Sequence, residues 1–217
     1  MPDDDKPVRV HIRAMQLRLS VIGFNKAIVS FQIAQLSRTA DGLKLPGIGH
    51  TIHVVADLQL YLALGLSFMA LLALIMACEI DEAGFCTHWS LMAGDLLMYM
   101  AVAHTLSGLF GPQATTIEAV AGALPQKASE IHILQSASIV TGACAWFLVT
   151  YAGPLVSLVR SPFERSTNIA LGSAYLLMLL VFCWLTAQMT RVESTVPGDE
   201  PGLILGVLRE LAQPLRW

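Results

Sequence analysis

Long apolar stretches separated by short polar connections dominate the chain from residue 58 onwards. Four stretches of at least 20 residues together contain one formal charge, that of Asp95. They cover residues 58–78, 91–110, 131–159 and 168–190. The hydrocarbon core of a bilayer, about 30 Å thick, is crossed by about 20 helical residues, so each stretch is long enough to span it. The pattern predicts an all-α, polytopic integral membrane protein built as a four-helix bundle.

Composition supports this class. Charged residues make up 13% of the 217 residues, against about 25% in an ordinary soluble domain. This excludes disordered, collagen-like and disulfide-rich secreted proteins. The net charge of −3 and the pI near 6.0 give no overall support for a nucleic-acid partner. The partner that the sequence predicts is the lipid bilayer.

A further mostly apolar segment, residues 19–36, is 18 residues long. As a span it would place Lys26 near the bilayer centre, at a cost of about 3 kcal/mol, and would require Arg9, Arg13 and Arg18 to be translocated. We therefore expect a cytoplasmic helix that lies on the membrane or packs against protein. A fifth span is the alternative.

Basic residues predict the orientation. Seven Lys and Arg residues precede the first long stretch, whereas the loop at 79–86 is acidic and has none. The positive-inside rule then makes both termini cytoplasmic and this loop external, in a bacterial inner membrane or another cell membrane. Arg160 and Arg165 do not fit this pattern. The expected divisions are a basic cytoplasmic N-terminal segment (1–55), a four-helix transmembrane domain (56–191) and a cytoplasmic tail (192–217) with a short helix at 203–211.

The third stretch is longer than one span requires, since its 29 residues would extend about 43 Å as a helix. Pro154 lacks a backbone N–H and is expected to kink this helix or end its lipid-buried part. Small residues such as Ser138 and Gly142, and Gly172 in the fourth stretch, provide faces on which helices could pack closely.

Asp95 is the most costly residue in the apolar stretches. With Glu79, Asp81 and Glu82 it would form an acidic external mouth, and in an oligomer such mouths would concentrate cations at a pore entrance. The alternative is a solvated acidic loop followed by a helix whose first turn favours Asp.

Histidines provide the candidate cofactor ligands. His104 and His132 lie on adjacent predicted helices, and His53 precedes the first. Two facing imidazoles could hold a b-type haem, and histidine with a carboxylate could hold a metal. The alternative is interfacial histidines bonded to the backbone or to lipid headgroups.

Two cysteines, Cys78 and Cys86, flank the predicted external loop. In an oxidising compartment they could form a disulfide, and otherwise they are unpaired thiols. Their spacing is not that of a zinc site.

No catalytic motif, phosphate-binding loop or potassium-channel filter is present. A small four-helix bundle has little room for an internal path, so a water-filled route would form between subunits. The leading hypothesis is an oligomeric channel-like or pore-forming protein that passes cations. The alternatives are a noncatalytic scaffold subunit of a larger membrane complex and a redox membrane anchor that binds haem or quinone.

Overall fold

The computed structural model describes residues 8–9, 12–36, 53–80, 85–86, 89–193 and 202–213. This part of the chain is helical apart from an antiparallel pairing of two-residue strands. The elements in chain order are β1 (Val8–Arg9), α1 (Ile12–Leu36), α2 (Val54–Ile80), β2 (Phe85–Cys86), α3 (Ser90–Ala123), a 3-10 turn (Pro125–Lys127), α4 (Ala128–Phe147), a π-turn (Leu148–Ala152), α5 (Gly153–Val159), α6 (Arg165–Glu193) and α7 (Leu203–Leu211).

Three helical segments are long and apolar enough to cross a membrane: Val54–Ala77, Pro125–Val159 and Arg165–Glu193. They include the first, third and fourth predicted stretches. The prediction of an all-α protein with several such helices is confirmed, although their number is three. The second stretch forms α3, which is also long but is more polar because it contains Asp95 and His104.

Helix α1 packs lengthwise against α2, so the bundle has a fifth long helix. Ile22 packs in a cluster with Ala70 and Leu74 near the end of α2. Val29, two turns later, packs in a cluster with Leu60 near the start of α2. The two helices are therefore antiparallel, and α1 belongs to the bundle rather than to a separate N-terminal segment.

Lys26, the residue that argued against a span here, lies beside the middle of α2. Its Nζ atom is 3.8 Å from the centroid of the Phe68 ring. The neighbouring Asn25 is buried, and its amide donates to the Ser67 hydroxyl at 3.0 Å. A desolvated cation–π contact contributes about 2 kcal/mol, which offsets much of the cost of the charge.

The strand pairing fixes which connections share an end of the bundle. Val8 pairs with Cys86 and Arg9 with Phe85, so the start of α1 and the α2–α3 connection lie together. We call this the β end. The expected topology placed the N-terminal segment and the loop at 79–86 on opposite sides, and the pairing contradicts that arrangement. The reason is the packing of α1 along α2, which returns the chain to the opposite end before α2 begins.

At the other end, α2 begins where α6 finishes. The Glu193 carboxylate accepts from the backbone N–H of Val55 at 3.1 Å. A carboxylate is favoured at this position because the first N–H groups of a helix have no partner within it. Helix α7 follows α6 here, and we call this the α7 end.

Helices α2 and α3 make the closest contact in the bundle, at two glycines. A Cβ atom on Gly94 would lie 2.8 Å from a Leu74 side-chain carbon, and one on Gly108 would lie 2.8 Å from a Leu60 side-chain carbon. Both glycines and both leucines are 14 residues apart, so the contact repeats after four turns. Each glycine lets the backbones approach and be filled by a leucine from the facing helix.

Pro154 does not end the third helix. Helices α4 and α5 continue into one another through the π-turn, which directly precedes this proline. Pro154 has no N–H for the carbonyl four residues earlier, that of Thr150. The Tyr175 hydroxyl on α6 donates to that carbonyl at 2.8 Å. The proline thus creates the acceptor that links this helix to α6.

The predicted tail helix is present as α7, and it packs into the bundle. A Cβ atom on its Gly206 would lie 3.3 Å from the Ala187 Cβ of α6. At its end, the Leu211 carbonyl accepts from the Tyr151 hydroxyl at 2.6 Å. Because Tyr151 lies in the π-turn, α7 runs back between α6 and the third long helix.

We predict that Gly108→Ala destabilises the protein while Gly111→Ala, one turn away, does not. The added methyl on residue 108 meets the fully buried Leu60, and such overpacking costs about 1–3 kcal/mol. Position 111 has open space around it, so this variant gains only the helix propensity of alanine, up to about 1 kcal/mol. Thermal unfolding of the purified variants measures both, and equal shifts would contradict the close α2–α3 contact.

Candidate functional site

Polar side chains from four elements meet inside the bundle, near the α7 end. They line a small cavity of about 20 Å³, which is room for about one water molecule. Its polar lining residues are all buried: Gln59 (α2), His104 and Ser107 (α3), Thr150 (π-turn), Thr186 (α6), and Glu210 and Gln213 (α7 and the turn after it). Gln59 is five residues inside α2, so the cavity lies about 8 Å from the helix end.

A hydrogen-bond chain across α2, α3 and α6 fixes the orientation of the histidine. The Thr186 hydroxyl donates to the Phe182 carbonyl at 2.9 Å, which leaves its oxygen to accept from the Gln59 amide nitrogen at 2.7 Å. Gln59 therefore presents its amide oxygen to Nδ1 of His104. This contact requires the proton on Nδ1, so Nε2 of the neutral ring has a free lone pair.

The histidine ring is also held by packing. The Phe182 ring of α6 lies edge-on to it, with centroids 5.1 Å apart and an interplanar angle of 76°. Such an edge-to-face pair restricts ring rotation. Hydrogen bond and aromatic contact together hold Nε2 in one position.

The C-terminal part of the chain contributes a carboxyl group to the cavity. Glu210 is 3% exposed and Gln213 is 6% exposed. The Gln213 amide nitrogen donates to the Glu210 carboxylate at 2.6 Å, which leaves the amide oxygen as an acceptor. An ionisable side chain buried among apolar helices is costly and marks a functional site by default.

Three buried polar atoms of the lining have no hydrogen-bond partner in the part of the chain that the structure describes. They are Nε2 of His104, Oγ1 of Thr150 and Oε1 of Gln213. Leaving a buried polar atom unbonded costs about 1–3 kcal/mol, so three in one small cavity require an explanation.

An apolar cluster separates the cavity from the β end. It contains Leu66, Leu96, Met100 and Leu179, all buried. Met100 and Leu179 also line the cavity itself. Water does not wet such a constriction readily, so this cluster forms a barrier on one side of the polar site.

Asp95 lies away from the cavity and is neutralised by a basic residue. The Arg18 guanidinium donates to both carboxylate oxygens, at 2.5 and 2.7 Å, and Asp95 is 6% exposed. The pair joins α1 to α3. The sequence placed Asp95 in an acidic mouth with Glu79, Asp81 and Glu82, whose side chains lie outside the described residues.

The histidines proposed as haem ligands are not brought together. His104 is buried at the cavity, whereas His132 is exposed on α4, where it contacts the Gln135 amide oxygen at 3.2 Å. The α4 residue level with His104 is Trp146, which is 14 residues and therefore about 21 Å from His132 along the helix. His53 is buried before α2, about 9 Å along the helix from Gln59. Haem ligation by His104 and His132 requires contacts that this arrangement lacks.

The remaining ligand candidates are dispersed. Within the described residues, no group of three or more His, Cys, Asp or Glu side chains could hold a metal ion. Cys144 is exposed and Cys183 is buried, and both are free thiols. The side chains of Cys78 and Cys86 lie outside the described residues, so their disulfide stays a prediction.

Most of the cavity was not predicted from the sequence. His104 was singled out, but Gln59, Thr150 and Thr186 were passed over as isolated polar residues in apolar helices. The available signal was their number, because each costs free energy in an apolar span unless a partner satisfies it. Glu210 and Gln213, three residues apart in the tail, were assigned to an aqueous surface.

No known family model matches this chain, and neither a curated protein nor a solved structure matches it.

We predict that Asp95 is structural through its pairing with Arg18. Asp95→Asn or Arg18→Gln alone should lower the free energy of unfolding by about 3 kcal/mol, because each leaves a largely buried charge without its partner. The double variant should lose less than the sum. Thermal unfolding of all four proteins provides the coupling energy, and additive losses would show that the pair contributes nothing.

Proposed function

We propose that this protein is an integral membrane protein with five spanning helices that passes a small solute through a polar site enclosed by its own chain. The observation that carries the proposal is the buried cavity lined by His104, Gln59 and Glu210 among long apolar helices. In a bilayer such groups are retained where they line a path or bind a ligand.

Membrane insertion is supported by the surface of the helices as well as by their length. Large apolar side chains are exposed along α4, α5 and α6, among them Ile133, Phe147, Leu155, Ile169 and Leu177. A soluble protein rarely exposes a continuous apolar surface of this extent. Lipid is the environment that suits it.

Five spans follow from treating α1 as a membrane helix. Its packing along α2 makes it parallel to α3, and the β end then holds both the start of α1 and the α2–α3 connection. The N-terminal and C-terminal segments lie on opposite sides of the membrane in this arrangement. The basic N-terminal sequence is divided between the two sides, which removes the charge asymmetry that predicted the orientation.

The site supports a route within each chain. The sequence favoured a pore between subunits because a small bundle has little internal volume. The cavity satisfies the need for a polar environment inside one chain, and the apolar cluster at Leu66 and Leu96 would act as the barrier that opens during passage. Association into an oligomer is compatible with this route but is not required for it.

We predict a labelling pattern that separates five spans from four. Single cysteines at Val8, Gln126 and Glu164, introduced into a background without native cysteines, are tested with a membrane-impermeant maleimide. Five spans place Val8 and Glu164 on one side and Gln126 on the other. Four spans with a cytoplasmic N-terminal segment place Val8 and Gln126 on the same side, and that result would reject the five-span arrangement.

We predict that purified protein in liposomes passes small cations and that His104→Leu lowers the rate at least tenfold. Uptake is followed with a voltage-sensitive dye in sodium, potassium and ammonium chloride. His132→Leu is the matched control, because His132 is exposed and outside the cavity. Size-exclusion chromatography checks that both variants fold. Thr150→Val provides a second cavity variant, since the hydroxyl it removes has no partner among the described residues.

Two results would reject the proposed function. The first is the absence of uptake by the wild-type protein in all three salts. The second is an equal rate for wild-type protein, His104→Leu and Thr150→Val.

A further inference from the structure

We propose that the cavity binds a single ammonium ion. This inference names the solute of the proposed function and therefore rests on the same site. Its argument comes from the direction of the hydrogen bonds, the charge of the lining and the size of the space.

The unpartnered atoms of the lining are acceptors. Nε2 of neutral His104 is an acceptor because Gln59 fixes the proton on Nδ1. The Gln213 amide oxygen is an acceptor because its nitrogen already donates to Glu210. The Thr150 hydroxyl accepts as readily as it donates. A ligand that satisfies these atoms must bring hydrogen-bond donors.

The charge of the lining favours a cation. Among the residues around the cavity, Glu210 supplies a carboxyl group, and none is Lys or Arg. The Trp146 ring also lines the space and is buried. The face of an indole attracts a cation, and the attraction increases when water is excluded. A neutral donor would leave the carboxylate without a compensating charge.

Size and chemistry narrow the cation to ammonium. The space accommodates about one water-sized particle, which excludes amines with large substituents. Sodium and potassium ions are hard cations that prefer oxygen ligands and donate no hydrogen bonds, so they do not use the nitrogen lone pair of His104. Ammonium donates up to four hydrogen bonds and accepts none.

Binding is tested on the purified full-length protein in detergent, where no flux is needed. Thermal unfolding is measured in ammonium, potassium, sodium and choline chloride at equal ionic strength. Ammonium should raise the midpoint with concentration, by about 3 °C at ten times its dissociation constant. Potassium, sodium and choline should produce the same lower midpoint as one another.

Two threonine variants locate the effect. Thr150→Val removes a cavity hydroxyl that has no partner among the described residues, so it should fold normally and lose the ammonium shift. Thr105→Val is the matched control. Thr105 is also buried, but its hydroxyl donates to the Ala101 carbonyl at 3.0 Å and it does not line the cavity. This variant should keep the full ammonium shift.

Three results would overturn the ammonium site. Equal midpoints in all four salts would show no specific binding, and an equal rise with potassium would show a site that needs no hydrogen-bond donor. A shift that persists in Thr150→Val would place binding elsewhere. An ammonium shift without flux in liposomes would leave the binding site established and reject the transport function alone.

Discussion

Each polar group inside an apolar bundle must find its partner within the bundle, and this requirement determines where the helices of this protein meet. Asn25 joins α1 to α2 through Ser67. Gln59 joins α2 to α6 through Thr186. Tyr175 joins α6 to the carbonyl that Pro154 leaves without a backbone donor. Because lipid offers no alternative partner, each of these bonds specifies one pairing of helices.

The same requirement produces the candidate site. Where the polar groups of α2, α3, α6 and α7 converge, they outnumber the partners available to them, and three acceptor-capable atoms are left over. A protein that needed only stability would place apolar residues at such positions. The excess of acceptors, together with the carboxyl group of Glu210, is what gives the site a preference for a cationic donor.

Features that depend on local sequence were predictable, whereas features that depend on distant partners were not. Length and composition identified the apolar helices, and the short helix at 203–211 followed from its breaks and pattern. Helix α1 was assigned elsewhere because Lys26 and Arg18 were counted as isolated charges. Phe68 and Asp95 compensate them, and those residues are 42 and 77 positions away in sequence. The cavity was missed for the same reason, since its members come from four separate elements.

The glycine contacts between α2 and α3 divide the bundle into a stiff part and an adjustable part. At Gly94 and Gly108 the backbones are separated by one leucine side chain, which leaves little freedom for either helix to slide. The facing wall of the cavity contains a π-turn and the short helix α7, held by Tyr151. Any movement that connects the cavity to the β end would therefore displace α6 and the π-turn, while α1, α2 and α3 stay fixed as the frame.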